Sequence, residues 1–100
     1  MLVTSIYSVT KSFPKEETYG LTSQIRRAAV SVPSNIAEGR RRGSETEFRQ
    51  FLRIAFGSLS EVETQLEIAR QLGYLQADMP LNEIERLIEE ISRMLNTMTS

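Results

Sequence analysis

Between Phe48 and Ala69 the apolar residues Phe48, Leu52, Ala55, Leu59, Val62, Leu66 and Ala69 are separated alternately by four and three positions. A strand repeats every two residues, so a run of this kind has one regular solution, a helix of about six turns with a single seam turned to its neighbours. The same alternation returns in Leu81, Ile84, Ile88, Ile91, Leu95 and Met98. Two such helices in a chain of 100 residues leave room for one core, so residues 1–100 are expected to form a single domain.

The rest of the chain follows the same period. Leu2, Ile6, Val9 and Phe13 predict a short helix 1, closed by Pro14, because proline disfavours helix at the residue before it. Leu21, Ile25, Ala28, Val32 and Ile36 line one face of a second helix from near Gly20 to about Glu38. Pro33 falls inside that pattern, and its missing amide and bulky ring predict a kink in an otherwise continuous helix. Gly39 and Gly43 bracket Arg40, Arg41 and Arg42 in the expected connection, and Ser44-Glu-Thr-Glu47 reads as a capping box that starts helix 3. Gly73 ends that helix, and Asp78 is the expected cap of helix 4, with Pro80 in its first turn. No segment carries a strand signal. The expected fold is all-α, an antiparallel up-down-up-down four-helix bundle with a short helix 1.

Composition removes much of chemistry. The chain has no cysteine and no histidine, which excludes disulfides, thiolate nucleophiles, imidazole relays and nearly every common zinc, haem or iron–sulfur site. No cofactor and no metal are expected. No apolar run approaches the roughly 20 residues that span a bilayer, and Met1-Leu-Val-Thr4 lacks signal-peptide order. The expectation is a cytoplasmic protein with no membrane partner.

The net charge of −1 conceals an asymmetry. Residues 26–53 hold seven arginines against three glutamates, a net of +4, whereas residues 54–100 hold three arginines against eight carboxylates, a net of −5. Arg40, Arg41 and Arg42, followed by Arg49 and Arg53 one turn apart, are the candidate anion surface, since guanidinium presents paired donors and stays charged. A solvated loop and helix face would carry the same residues. On helix 2, Gln24, Arg27, Ser31, Ser34 and Glu38 form a polar stripe, with Asn35 on its border. Helix 3 has a matching border at Ser58, Glu61 and Gln65. A structural polar seam between the helices is the expected use of Gln24, Arg27, Ser31, Asn35, Glu38, Ser58 and Glu61. An active site is the sharper alternative, but Glu38 and Glu61 fall far apart along the helices and neither has a partner suited to raising its pKa, so no enzyme is expected.

Helix 3 also carries Phe51, Ile54, Phe56, Ile68 and Leu72 beside its seam, an apolar arc wider than one core-facing stripe requires. Either it touches two neighbours in the bundle or it forms part of a subunit interface. The acidic face of helix 4 around Glu83, Glu85, Glu89 and Glu90 reads as a solvated surface.

The stretch from Gly20 to Gly39, GLTSQIRRAAVSVPSNIAEG, closely resembles the signature of the four-helix-bundle proteins encoded in 23S ribosomal RNA intervening sequences. The similarity continues through Phe48, Phe51, Leu52, Ala55, Gly57-Ser58-Leu59, Glu61, Leu66 and Gly73-Tyr74, and covers most of Phe13 to Leu95. The resemblance extends to the accessory variability protein of diversity-generating retroelements. It implies a homo-oligomer, a ring-shaped pentamer, with a basic surface for RNA or DNA and a reverse transcriptase as a partner, and no enzymatic activity. Relatives carry roughly four more turns ahead of Leu2, so the resemblance also implies a truncated helix 1 and an uncovered part of the seam. Two functions fit these features: an oligomeric scaffold that contacts nucleic acid, and a protein-interaction adaptor whose wide apolar helix serves partners without direct nucleic-acid binding.

Overall fold

The computed structural model describes residues 1–99. Four helices are present, α1 (Leu2–Thr10), α2 (Leu21–Arg41), α3 (Glu45–Gln71) and α4 (Leu81–Thr99), with no strand among the described residues. A single 3-10 turn, Lys15–Glu17, which the apolar spacing does not reveal, joins α1 to α2. Among the described residues no helix is long and apolar enough to cross a membrane. Helix α1 packs on α2 and α4, and α3 packs on the same two, so the four close a ring around one core. Ile6, Ile25, Leu52, Leu59, Val62, Ile84 and Leu95, one or more from each helix, are fully buried in it. With nine residues α1 is about 14 Å long, and it spans less than half of the 21-residue α2.

Helices α2 and α3 pair most extensively. The Ser58 hydroxyl donates to Ser31 Oγ at 2.8 Å, Gly39 lies against Phe48 and Phe51, and the Tyr74 hydroxyl, just past α3, donates to Glu17. Each step forward along one partner is a step back along the other, so the two helices form a hairpin. They approach closely at Gly39, where an added Cβ would stand 2.8 Å from Phe51 Cβ and 2.9 Å from Phe48 Cδ1. Gly39 is therefore not a connection residue: α2 continues through Arg40 and Arg41, past its expected end at Glu38. Pro33 lies inside that uninterrupted helix.

The helix ends are built from several devices. Gly43 adopts φ 74°, and Ser44 is extended, its Oγ accepting the Glu47 amide at 3.3 Å. The reciprocal half of the expected capping box is replaced, since the Glu47 carboxylate turns to Arg42 at 4.0 Å. Gly73 adopts φ 79°, with its amide bonded to the Arg70 carbonyl and that of Tyr74 to the Ala69 carbonyl, the paired bonds of a Schellman motif. Helix α4 begins at Leu81, and Asp78 does not cap it. Pro80 holds Met79 out of helical conformation, so the helix starts only behind Pro80, whose carbonyl accepts the Ile84 amide at 3.1 Å.

Two ends are secured across the bundle. Arg26 donates to Thr10 Oγ1 at 2.8 Å and to the Tyr7 carbonyl at 3.3 Å, with its guanidinium 4.6 Å from the centre of the Tyr7 ring. A cation there opposes the negative end of the α1 dipole. Glu17 does the converse for α2: its Oε1 accepts the Leu21 amide at 3.1 Å, and its Oε2 accepts the Tyr74 hydroxyl at 2.9 Å. The Tyr74 ring also packs 5.5 Å from that of Phe13. The bond to Glu17, with burial and the charges of Glu17 and Glu16 adding to it, pushes the Tyr74 phenol above its usual value of 10.0.

The packing predicts opposite results for two glycines. Gly39→Ala forces apart two packed phenylalanines and should cost about 1–3 kcal/mol. Gly57→Ala, where an added Cβ meets nothing within 4 Å in the middle of α3, should stabilise by about 0.5–1 kcal/mol; urea unfolding of both variants measures this. Because the folded-state pKa of Tyr74 is raised, the stability it confers is complete below the unfolded value near 10 and is lost as pH rises through the folded value. Tyr74→Phe should accordingly destabilise the chain at pH 7, and the gap from the parent should close above pH 10 in the same assay.

Candidate nucleic-acid interface

The turn of the α2–α3 hairpin gathers the arginines. Arg40 and Arg41 are the last two residues of α2, Arg42 is its cap, and Arg49 and Arg53 lie one turn apart in the first half of α3. All five are exposed. The hairpin places them at one end of a molecule measuring 43 × 26 × 19 Å. Cations suit the C-terminus of α2, and Glu45 and Glu47 suit the N-terminus of α3, as the helix dipoles require.

The five are not equivalent. Arg42 Nε lies 3.7 Å from Glu38, its Nη1 lies 4.0 Å from Glu47, and the guanidinium sits 5.0 Å from the centre of the Phe51 ring. Exposed pairs of this kind contribute little stability individually, but together they fix where the guanidinium points and offset its charge. Arg40, Arg41, Arg49 and Arg53 make no ion pair among the described residues. Arg40 borders a shallow notch with Gly43, Ser44, Glu45 and Phe48. Phe48 and Phe51 are only part-exposed and pack at Gly39, while Tyr19, 97% exposed, lies beyond the opposite end of α2. The surface thus offers donors for phosphate oxygens and no aromatic platform for stacked bases.

The polar residues of α2 and α3 divide into three groups. Ser31, Asn35 and Ser58 are joined directly, with Asn35 Nδ2 donating to Ser31 Oγ and to the Ser31 carbonyl, each at 2.8 Å, and Ser58 completing the chain. Gln24, Arg27 and Glu61 line a shallow recess that Ser31 and Ser58 also border, together with Gln65, whose buried Oε1 has no partner. Glu38 stands apart from both groups, paired with Arg42. Glu38 lies level with Phe51, so Glu61 is ten residues further along α3, about 15 Å away. Among the described residues no group of three or more acidic side chains is placed to hold a metal ion.

Arg26 belongs by sequence to the basic segment, and the structure withdraws it from that surface to cap α1. Its partners lie 16 and 19 residues away, a separation no local pattern encodes. Arg27, its neighbour, remains exposed on the α3 side of the helix.

A family model described as 23S rRNA-intervening sequence protein matches residues 1–97. No curated protein matches the chain. The match takes in α1, α2 and α3 entire and all but the last two residues of α4, so sequence and helical architecture agree over almost the whole length. The chain belongs to the 23S rRNA-intervening sequence protein family.

Proposed function

We propose that the protein is a non-enzymatic, oligomeric helical bundle of the cytoplasm, arranged up-down-up-down, that binds RNA or DNA through the arginines of the α2–α3 turn. The observation that carries this reading is the presence of four exposed, unpaired arginines, Arg40, Arg41, Arg49 and Arg53, at one end of the hairpin. Contacts to phosphate would position the polymer without reading its sequence. Arg42 orders the turn more than it adds binding. Gln24, Arg27, Ser31, Asn35, Glu38, Ser58 and Glu61 are, on this reading, structural.

Oligomerisation is supported by Ile54 and Ile68, on one face of α3, and by Leu72 at its C-cap, which are 51%, 42% and 53% exposed. A pentamer is the assembly inferred from the family resemblance, with a reverse transcriptase as the protein partner it would serve. The same stripe favours a second reading, an adaptor that binds proteins without touching nucleic acid. Salt separates the two, because phosphate contacts release counterions and apolar contacts do not.

Replacing Arg40 and Arg41 by glutamine should weaken binding to RNA or DNA of any sequence. It should also flatten the log–log salt dependence by roughly one for each phosphate no longer neutralised, with Arg42→Gln having the smaller effect. Filter binding at several salt concentrations reads this; an unchanged slope in a folded variant moves the site, and no binding by the parent favours the adaptor. Light scattering should give a mass several times 11.4 kDa, falling towards the monomer when Ile54 and Ile68 are both replaced by serine. A monomeric parent at micromolar concentration overturns the oligomer.

A further inference from the structure

On the other half of the molecule, residues of α3, α4 and the 72–80 connection between them line a groove. Its floor is apolar, formed by Leu66, Leu75, Leu81, Ile84 and Ile88. Glu63 and Glu67 from α3 and Glu85 and Glu89 from α4 stand along its two rims, all exposed. The one cation in the lining, Arg70, is already held by the Glu67 carboxylate, to which Gln71 also donates. Those bonds, the Arg70 bond first, hold the Glu67 carboxyl down at about 2, so it remains charged across the physiological range. The groove lining therefore carries four carboxylates around an apolar floor, three of them without a cation, and no uncommitted positive charge.

That combination selects a class of occupant. A polymer of phosphates is repelled by the rims, and an uncharged apolar segment would leave the carboxylates uncompensated. A helix with apolar residues at i, i+3 or i+4, and i+7 and lysine or arginine on either side satisfies floor and rims together. The α4 wall from Leu81 to Glu89 is about 12 Å long, enough for two turns of such a helix. We infer that the α3–α4 groove is a docking site for a basic amphipathic helix of a partner protein. A second copy of this chain fits less well. Its free cations Arg49 and Arg53 on α3 accompany one exposed apolar residue, Ile54, and the position seven further on is Glu61. The site is separate from the arginine surface, as Glu63 and Glu67 lie 14 residues beyond Arg49 and Arg53 on α3, about 20 Å along the helix.

The test uses the full chain and a fluorescein-labelled amphipathic peptide of about four turns built from leucine and lysine. Controls are a scrambled peptide of identical composition and a leucine–glutamate counterpart. Fluorescence anisotropy should show saturable binding of the helical lysine peptide and at least tenfold weaker binding of the scrambled one. In the double variant Glu63→Lys/Glu89→Lys, with its helicity verified by circular dichroism, affinity for the lysine peptide should fall at least tenfold and the glutamate peptide should bind instead. Equal affinity of parent and folded variant for the lysine peptide overturns the proposal, as does equal affinity for helical and scrambled peptides. A parent oligomer that dissociates on introducing the same two substitutions also overturns it, in favour of a second copy in the groove.

Discussion

The close approach of α2 and α3 sets the rest of the molecule. Two helices can come near only where neither offers bulk, and the contacts between them include Ser31 against Ser58 and Gly39 against Phe48 and Phe51, which fill the space that Gly39 leaves. Small residues alone would allow the helices to slide by a turn. The hydrogen bonds linking Asn35, Ser31 and Ser58 remove that freedom, because Ser58 is only 6% exposed and a slip would bury its hydroxyl without a partner, costing about 1–3 kcal/mol. Packing supplies the attraction and a short polar chain supplies the register. Once that register is set, Tyr74 arrives over Phe13 and Glu17, and the 3-10 turn, the start of α2 and the end of α3 are secured at one point.

The same register distributes charge along the long axis. Helix α2 ends in arginines and α3 begins near them, so the hairpin turn is basic, whereas the second half of α3, the 72–80 connection and α4 together hold eight carboxylates against three arginines. A net charge of −1 spread evenly would steer nothing. Separated into opposite ends of a 43 Å body, it gives a field that orients an approaching polyanion towards one end and a polycation towards the other. The two sites proposed for the molecule are the two poles of this one arrangement.

How much of this is legible in the sequence depends on whether a feature is local. The 3-4 alternation from Phe48 to Ala69 and from Leu81 to Met98 reflects a period that the chain must keep to bury one face, and those helices appear where the spacing puts them. Gly73 with Tyr74 is equally local, since a Schellman motif is closed within a few residues. The start of α2 is not: its cap is the Glu17 side chain, reaching the Leu21 amide from a 3-10 turn outside the helix. Asp78 shows a local rule overridden by another, as a good capping residue is displaced by the conformational demand of Pro80. Of the candidate site, residue types and approximate positions could be read along the chain. The engagement of Arg42 by Glu38, Glu47 and Phe51, and of Arg26 by α1, could not, because each depends on the hairpin or the bundle being closed.

Those engagements bound what one copy can do on the proposed reading. Of seven arginines in residues 26–53, Arg26 is committed to α1 and Arg42 to the turn, which leaves Arg40, Arg41, Arg49 and Arg53 at the basic end and Arg27 beside the recess. Four or five phosphate contacts without a stacking aromatic correspond to weak, salt-sensitive association. A helical hairpin of fixed register holds those arginines rigidly at one end of the body, so copies joined through the α3 stripe would present them as a repeated pattern. A polymer bound by one patch is then at high effective concentration for the next, and affinity rises by orders of magnitude with no new kind of interaction. On the proposed reading the exposed apolar residues of α3 and the sparse arginine cluster therefore depend on each other: the small surface would become an effective nucleic-acid site only in an assembly, and the apolar residues are what the chain would offer to build one.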